Sequence, residues 1–172
     1  MYLFLIISVL EYILYAGDIL VMDEEGYIFF VVRAGDSFRW RGENVSTGEV
    51  ENIVSTALGH VSCVVYGVEV LNIEGRAGMA AIHINPKNVD FSELYQNARE
   101  RLPSYAIPLF LRLSKQMDET GTYKLKKETY QKGGFNPEEV PDPLFFLDAK
   151  QKTYIPLDKE LYSDIVTGKL RL

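Results

Sequence analysis

The sequence predicts an α+β fold, with a small mixed sheet flanked by helices and preceded by a β-hairpin. Three observations carry that prediction. Two apolar, β-prone runs, Ile19-Leu-Val-Met22 and Tyr27-Ile-Phe-Phe-Val-Val32, flank an acidic turn, Asp23-Glu-Glu-Gly26, which is a hairpin pattern. In the middle of the chain, amphipathic helical patterns alternate with runs of Val, Ile and Ala, as expected for a sheet covered by helices. A hydrophobic content of 47% over 172 residues supports a packed core and argues against disorder.

Composition also narrows function. A formal net charge of −6 argues against general nucleic-acid binding through a basic surface. The single cysteine, Cys63, excludes an internal disulfide framework and any CxxC pair. His60 and His83 have no partners at zinc-ligand spacing, so no metal site is predicted. His83 sits between Ile82 and Ile84 and reads as the polar side of a strand.

Residues 1–15 are almost wholly apolar apart from Ser8 and Glu11. The run is shorter than the roughly 20 residues a membrane-spanning helix needs. It also lacks the basic start and cleavage site of a signal peptide. Three readings compete: a signal-like or interfacial segment, a buried helix, or the ragged edge of a larger protein. A membrane-binding peptide in this stretch is testable by liposome sedimentation with and without it.

After the hairpin, Arg33-Ala-Gly-Asp36 is a polar break whose Ala-Gly pair can pivot, and Ser37-Phe-Arg-Trp-Arg-Gly42 reads as a short strand and loop. Gly42-Glu-Asn-Val45 reads as a loop leading into a helix, with an Asn44-Val-Ser46 sequon expected to be unused. Ser46-Thr-Gly-Glu49 has the form of a capping box. Behind it Val50, Ile53, Val54, Ala57 and Leu58 recur at helical spacing, and Gly59 supplies the stop.

Strands follow over 61–70 and 79–84. Asp90 caps a second helix with Leu94, Tyr95, Ala98 and Leu102 on its apolar stripe, ended by Pro103. Leu109-Phe-Leu-Arg-Leu113 is a strand that leads to Asp118-Glu-Thr-Gly-Thr-Tyr-Lys-Leu-Lys-Lys127. There Gly121 between threonines marks a tight loop from which Lys124 projects. Asn136-Pro137 opens a single turn. Residues 144–155 read as an extended wrap, and a last helix starts at a cap on Asp158. Taken alone, the lysine cluster is a solvated face, Asp18 a turn residue and Arg33 a surface charge.

An ordered set of segments changes that reading. Gly17-Asp18, Arg33-Ala-Gly-Asp36, Phe38-Arg-Trp-Arg-Gly-Glu-Asn-Val45, Glu49-Val-Glu51 and Thr120-Gly-Thr-Tyr-Lys124 resemble the carboxyl end of adenylate-forming, AMP-binding enzymes. The wording Gly35-Asp-Ser-Phe-Arg-Trp-Arg-Gly-Glu-Asn-Val-Ser46 is similar to the fatty acid transport proteins, or very-long-chain acyl-CoA synthetases. Further matches are Val65-Tyr-Gly-Val68, Glu74-Gly-Arg-Ala-Gly-Met79, Leu102-Pro-Ser-Tyr-Ala106 and Pro143-Leu-Phe-Phe-Leu-Asp148. The similarity runs over residues 17–172.

The resemblance implies a domain plan. Residues 16–33 would be the last hairpin of a large AMP-binding domain and 34–36 a hinge, with Gly35 at the pivot and Asp36 beside it. Residues 37–172 would form the small carboxyl-terminal domain. Residues 1–15 do not resemble the family and are expected to be foreign sequence at a truncation or gene-model edge.

It also implies a two-step ligase reaction linked to fatty acid uptake. A long-chain or very-long-chain fatty acid and ATP give an acyl-adenylate, and coenzyme A then displaces AMP as the thioester forms. Mg²⁺ would be held mainly by the large domain. Lys124 is the implied catalytic residue, since a compact ammonium on a loop can neutralise carboxylate and α-phosphate together. Asp18 matches a ribose-binding aspartate, and Arg33 an arginine at the same nucleotide. Gly42, Glu43 and Asn44 match the loop that approaches the pantetheine arm. Membrane association at the endoplasmic reticulum or plasma membrane, with the domain facing the cytosol, is implied by the family alone. The isolated chain is expected to be inactive.

Departures from the family pattern are Val32 for an aspartate before the arginine, Gly35 at the hinge, Tyr123 before the lysine and Lys127 for an arginine. A non-catalytic binding or regulatory module on the same small fold is the alternative. The joint presence of Asp18, Arg33 and Lys124 argues against it.

Overall fold

The structure, a computed structural model, describes residues 2–9, 12–22, 25–33, 37–114, 127–170 and 172, with the backbone alone over 2–9, 12–22 and 28–33 and at 128. The chain divides into two compact units, Met1–Ser37 and Phe38–Leu172.

In the first unit, β1 (Tyr2–Val9), β2 (Tyr12–Met22) and β3 (Ile28–Arg33) form an antiparallel sheet in that order. The hairpin expected from residues 19–32 is β2–β3, with Gly26 at φ 88° in the connection. Of the readings weighed for residues 1–15, the buried helix is not formed. The run is rich in β-branched and aromatic residues and has no polar face at helical period, and its described backbone is strand.

The second unit starts from a two-stranded ribbon, β4 (Ser37–Trp40) with β5 (Glu43–Ser46). A five-stranded mixed sheet then runs in the order β10 (Thr153–Pro156), β9 (Leu144–Asp148), β8 (Phe110–Ser114), β7 (Arg76–His83), β6 (Cys63–Glu69). Only the β7–β8 pair is parallel. Its crossover carries a short 3-10 turn, Pro86–Asn88, and the helix α2 (Phe91–Arg101). The other helices are α1 (Thr47–Ala57), α3 (Lys127–Gly133) and α4 (Lys159–Val166).

Alternation along the strands sorts the core into two layers. On one face, α1 and α2 pack side by side against β6 and β10, with the Phe91 ring of α2 tilted against that of Phe145 at 4.5 Å. Phe38 reaches the same face and lies over Gly67 and Gly78, where any added Cβ would meet its ring. On the other face, Tyr66 stacks on Tyr130 of α3, and Phe110 lies 4.3 Å from Phe135, which meets Tyr162 of α4. Strand β7 is covered on both sides, and its small residues Ala77, Gly78, Ala80 and Ala81 admit close layers.

Several expectations need correction. Ser46 occupies the N-cap position of α1, yet its hydroxyl makes no cap bond, because it is also the last residue of β5 and the ribbon fixes its backbone. Asp90 behaves as expected and accepts from the Ser92 and Glu93 amides, each at 3.0 Å. Asp158 likewise accepts from Leu161 N–H. Unfolding of the full chain in urea should therefore show Asp90→Ala losing about 1 kcal/mol. Ser46→Ala should lose under about 0.5 kcal/mol. Equal losses would restore the capping box.

The extended wrap expected over 144–155 is instead β9 and β10, two strands of the sheet. Leu144-Phe-Phe-Leu147 is buried throughout and so shows no alternation to read. Asp148 makes the turn between them, accepting from the amides of Lys150 and Gln151. These amide bonds favour its charged form and hold its carboxyl below the usual range. Strand β7 begins at Arg76, inside the loop expected before residue 79.

Candidate functional site

Asp18 and Arg33 come together: they are direct cross-strand partners in the antiparallel β2–β3 register. One step further the register shifts between Ile19 and Leu20, so the pair sits beside a bulge. Gly35, Asp36 and Lys124 lie outside the described residues.

Gly42, Glu43 and Asn44 are not a loop leading into a helix. Arg41 at φ 51° and Gly42 at φ 86° form the two-residue turn of the β4–β5 hairpin, and Glu43 and Asn44 open its second strand. Both Glu43 and Asn44 are exposed. What anchors the ribbon is its other face, where Phe38, Trp40 and Val45 are buried. Arg41 lies 5.5 Å from the Trp40 ring, a cation–π contact across the start of the turn. Trp40 also bridges to Gly75, whose φ of +91° leaves a Cβ only 2.5 Å from the Arg39 carbonyl oxygen. The exposed tip is thus carried on a well-packed base.

Residues 115–126 are flanked in sequence by Ser114 and Lys127. Ser114, the last residue of β8, is buried, and its carbonyl lies 3.2 Å from His83 Nδ1. His83 itself is exposed at the end of β7, as its alternation with isoleucines suggests. On the far side Lys127 opens α3. Its ammonium donates to Thr47 Oγ1 at 2.8 Å and pairs with Glu51 Oε1 at 3.3 Å. Glu51 Oε1 in turn accepts from the Val65 amide at 2.8 Å. Beside this group, burial and then the Glu51 charge push the Cys63 thiol up, and Lys127 opposes them.

One cluster was missed from sequence. A cleft of about 940 Å³ opens where β8 ends, lined among others by Arg112, Ser114, Tyr130 and Asp142. Arg112 donates through Nε to Asp142 Oδ2 at 2.7 Å, and its Nη2 meets the same oxygen at 2.7 Å. Its guanidinium lies 4.9 Å from the Tyr130 ring centroid. The signal was an arginine in the middle of an apolar strand, which needs a partner when it is buried. Tyr66 stands behind Tyr130 with a buried hydroxyl, and burial pushes that phenol up. Among the described residues no group of three His, Cys, Asp or Glu gathers to hold a metal ion.

Comparison with known proteins follows the same lines. No family model matches the chain. Long-chain fatty acid transport protein 1 of Mus musculus is 51% identical over 157 residues, which is 91% of this chain and 24% of the mouse protein. The chain therefore spans about a quarter of the length of the curated relatives it matches. An o-succinylbenzoate CoA synthetase from Bacillus subtilis, solved in complex with its acyl-adenylate intermediate, superposes with a TM-score of 0.56 at 26% identity, covering 72% of this chain and 25% of that one. A Mycobacterium tuberculosis fatty acyl CoA synthetase shares the fold with a TM-score of 0.58 at 23% identity, over 70% of this chain and 24% of that one. The fold is that of the carboxyl-terminal domain of adenylate-forming enzymes. Over the span it shares with them, the chain is similar in sequence to the long-chain fatty acid transport proteins.

Proposed function

We propose that this chain forms the carboxyl-terminal portion of a long-chain or very-long-chain fatty acid–CoA ligase that works in fatty acid uptake. The observation that carries the reading is the 51% identity to a long-chain fatty acid transport protein over 157 residues. The alternative of a non-catalytic module gains no support from these relatives.

In this reading residues 16–33 end the large domain, 34–36 are the hinge and 37–172 are the small domain. Asp18 accepts from the ribose hydroxyls of ATP, and Arg33 serves the same nucleotide. Their direct pairing across β2–β3 supports a shared target. Lys124 neutralises charge on the fatty acid carboxylate and the α-phosphate as pyrophosphate leaves. The exposed hairpin tip, Gly42 to Asn44, meets the pantetheine arm of coenzyme A when the second step begins. Its buried base supports a rigid approach. Magnesium would be held mainly by the large domain.

Membrane association rests on the transport function named for the relatives. Among the described residues no helix is long and apolar enough to cross a membrane.

The test is a chimera in which this chain's aligned residues replace the 157 matched residues of the mouse protein. A chimera with cooperative thermal unfolding should convert a long-chain fatty acid, ATP and coenzyme A to the acyl-CoA through a trapped acyl-adenylate. The 172 residues alone should form neither product. A folded chimera that completes neither half-reaction overturns the proposal.

A further inference from the structure

We infer that Lys127 is a positioning residue for adenylation, clamping the end of the lysine segment to α1 and to the open edge of the sheet. This inference rests on the reading of Lys124 as the catalytic lysine.

Strand β6 is the outer strand of the five-stranded sheet, so its outward backbone groups need other partners. Two side chains supply them. Glu51 of α1 takes the Val65 amide at 2.8 Å, and Gln131 of α3 donates to the Gly67 carbonyl at 3.0 Å. Val65 and Gly67 are two residues apart and so present their groups to the same edge. Helices α1 and α3 therefore meet around this edge from different parts of the chain. Lys127 closes the junction: its ammonium touches both Thr47 Oγ1 and the Glu51 carboxylate. The Lys127 and Glu51 side chains are 26% and 28% exposed, so the contact is partly shielded from solvent.

The place of this clamp in the sequence suggests its purpose. Lys127 follows Lys124 by three residues, and covalent geometry alone limits the separation of their Cα atoms to about 11 Å. Thr47 comes directly after β5, the strand that carries Glu43 and Asn44. One ammonium thus ties the end of the lysine segment to the base of the hairpin proposed to meet coenzyme A. A partly exposed ion pair adds little to global stability. A clamp that fixes a catalytic ammonium against its target can matter far more to rate, because a displacement of about 1 Å can cost a factor of about 100.

The experiment uses the chimera with Lys127→Met, Lys127→Arg, Glu51→Gln and Lys124→Ala, and the double variant Lys124→Ala/Lys127→Met. Acyl-adenylate formation is measured by pyrophosphate release in single turnover. Lys127→Met should lower the single-turnover rate constant by roughly tenfold to a hundredfold while the ATP concentration that gives half the maximal rate stays within about twofold. Lys127→Arg should recover most of the rate. Glu51→Gln, which keeps an acceptor for the Val65 amide, should reproduce the loss and assign it to the charge pair. In the full chain, the midpoint of thermal unfolding should move by less than about 3 °C for Lys127→Met.

The double variant is decisive. With Lys124 gone there is nothing to position, so Lys127→Met should add less than about twofold. A wild-type rate for Lys127→Met overturns the clamp. So does an equal loss in the Lys124→Ala background, which would mark Lys127 as merely structural. If Lys124→Ala alone leaves adenylation intact, the reading of Lys124 fails and takes the clamp with it.

Discussion

Lys124→Ala in the chimera should slow acyl-adenylate formation by a factor of roughly 100 to 1,000, equivalent to about 3–4 kcal/mol in the barrier. Two anions must meet in that step, a carboxylate and the α-phosphate, while negative charge builds on the departing pyrophosphate. A lysine ammonium is a compact point charge that can sit between both oxygens, whereas an arginine fork demands a planar partner. Lys124→Arg is therefore expected to recover only a minor part of the rate. The second step transfers the acyl group to a thiol and releases AMP without any pyrophosphate departure. Thioester formation from supplied acyl-adenylate should accordingly fall by less than about tenfold, since the interaction lost belongs to the first transition state. Comparable losses in both steps would point to general misfolding or to a different role for the residue. Intact adenylation would remove Lys124 from the chemistry.

How far the sequence revealed this protein depended on whether a segment declares itself locally. Helix α2 does: Asp90 supplies its own cap, and Leu94 and Ala98 lie buried on its stripe. The β2–β3 hairpin does as well, through its acidic turn ending in Gly26. Helix α3 does not. Its sequence, Lys-Glu-Thr-Tyr-Gln-Lys-Gly, has no apolar period, and it is held by contacts with distant residues: Tyr130 on Tyr66, Gln131 on Gly67, Lys127 on Thr47. Strand β5 was hidden for a different reason. Its short polar run reads as a loop until Arg41 and Gly42 are seen to turn back on β4. For the candidate site, residue matches to the family pointed to Asp18 and Arg33, but only the register brings those two positions face to face. The Arg112–Asp142 pair and the Lys127 clamp are tertiary facts, joining positions that no local spacing relates.

The largest loss of stability should come from Phe110→Ala, at about 4 kcal/mol. Phe110 is fully buried in β8, the strand through which the sheet passes from parallel to antiparallel pairing. Its ring stacks 4.3 Å from Phe135 and lies 5.7 Å from Phe146, and Phe135 makes an edge contact with Tyr162 at 5.4 Å. Truncation removes the central ring of a row linking β8 and β9 to α4. It leaves a cavity that neighbours in β7 and β9 cannot fill without breaking the ladder. For a chain of this size the thermal midpoint should drop by roughly 8–16 °C. Phe110→Leu keeps most of the volume and should cost about half as much. The effect also reaches the proposed chemistry. Strand β8 ends at Ser114, where the segment bearing Lys124 begins, so a loosened β8 shifts one of its two fixed ends. In the chimera, Phe110→Ala should therefore lower adenylation at temperatures well below its own unfolding midpoint, while leaving the Lys127 end in place. A loss of stability under about 1 kcal/mol, measured by denaturant titration of the full chain, would mean that the aromatic row does not hold these layers together.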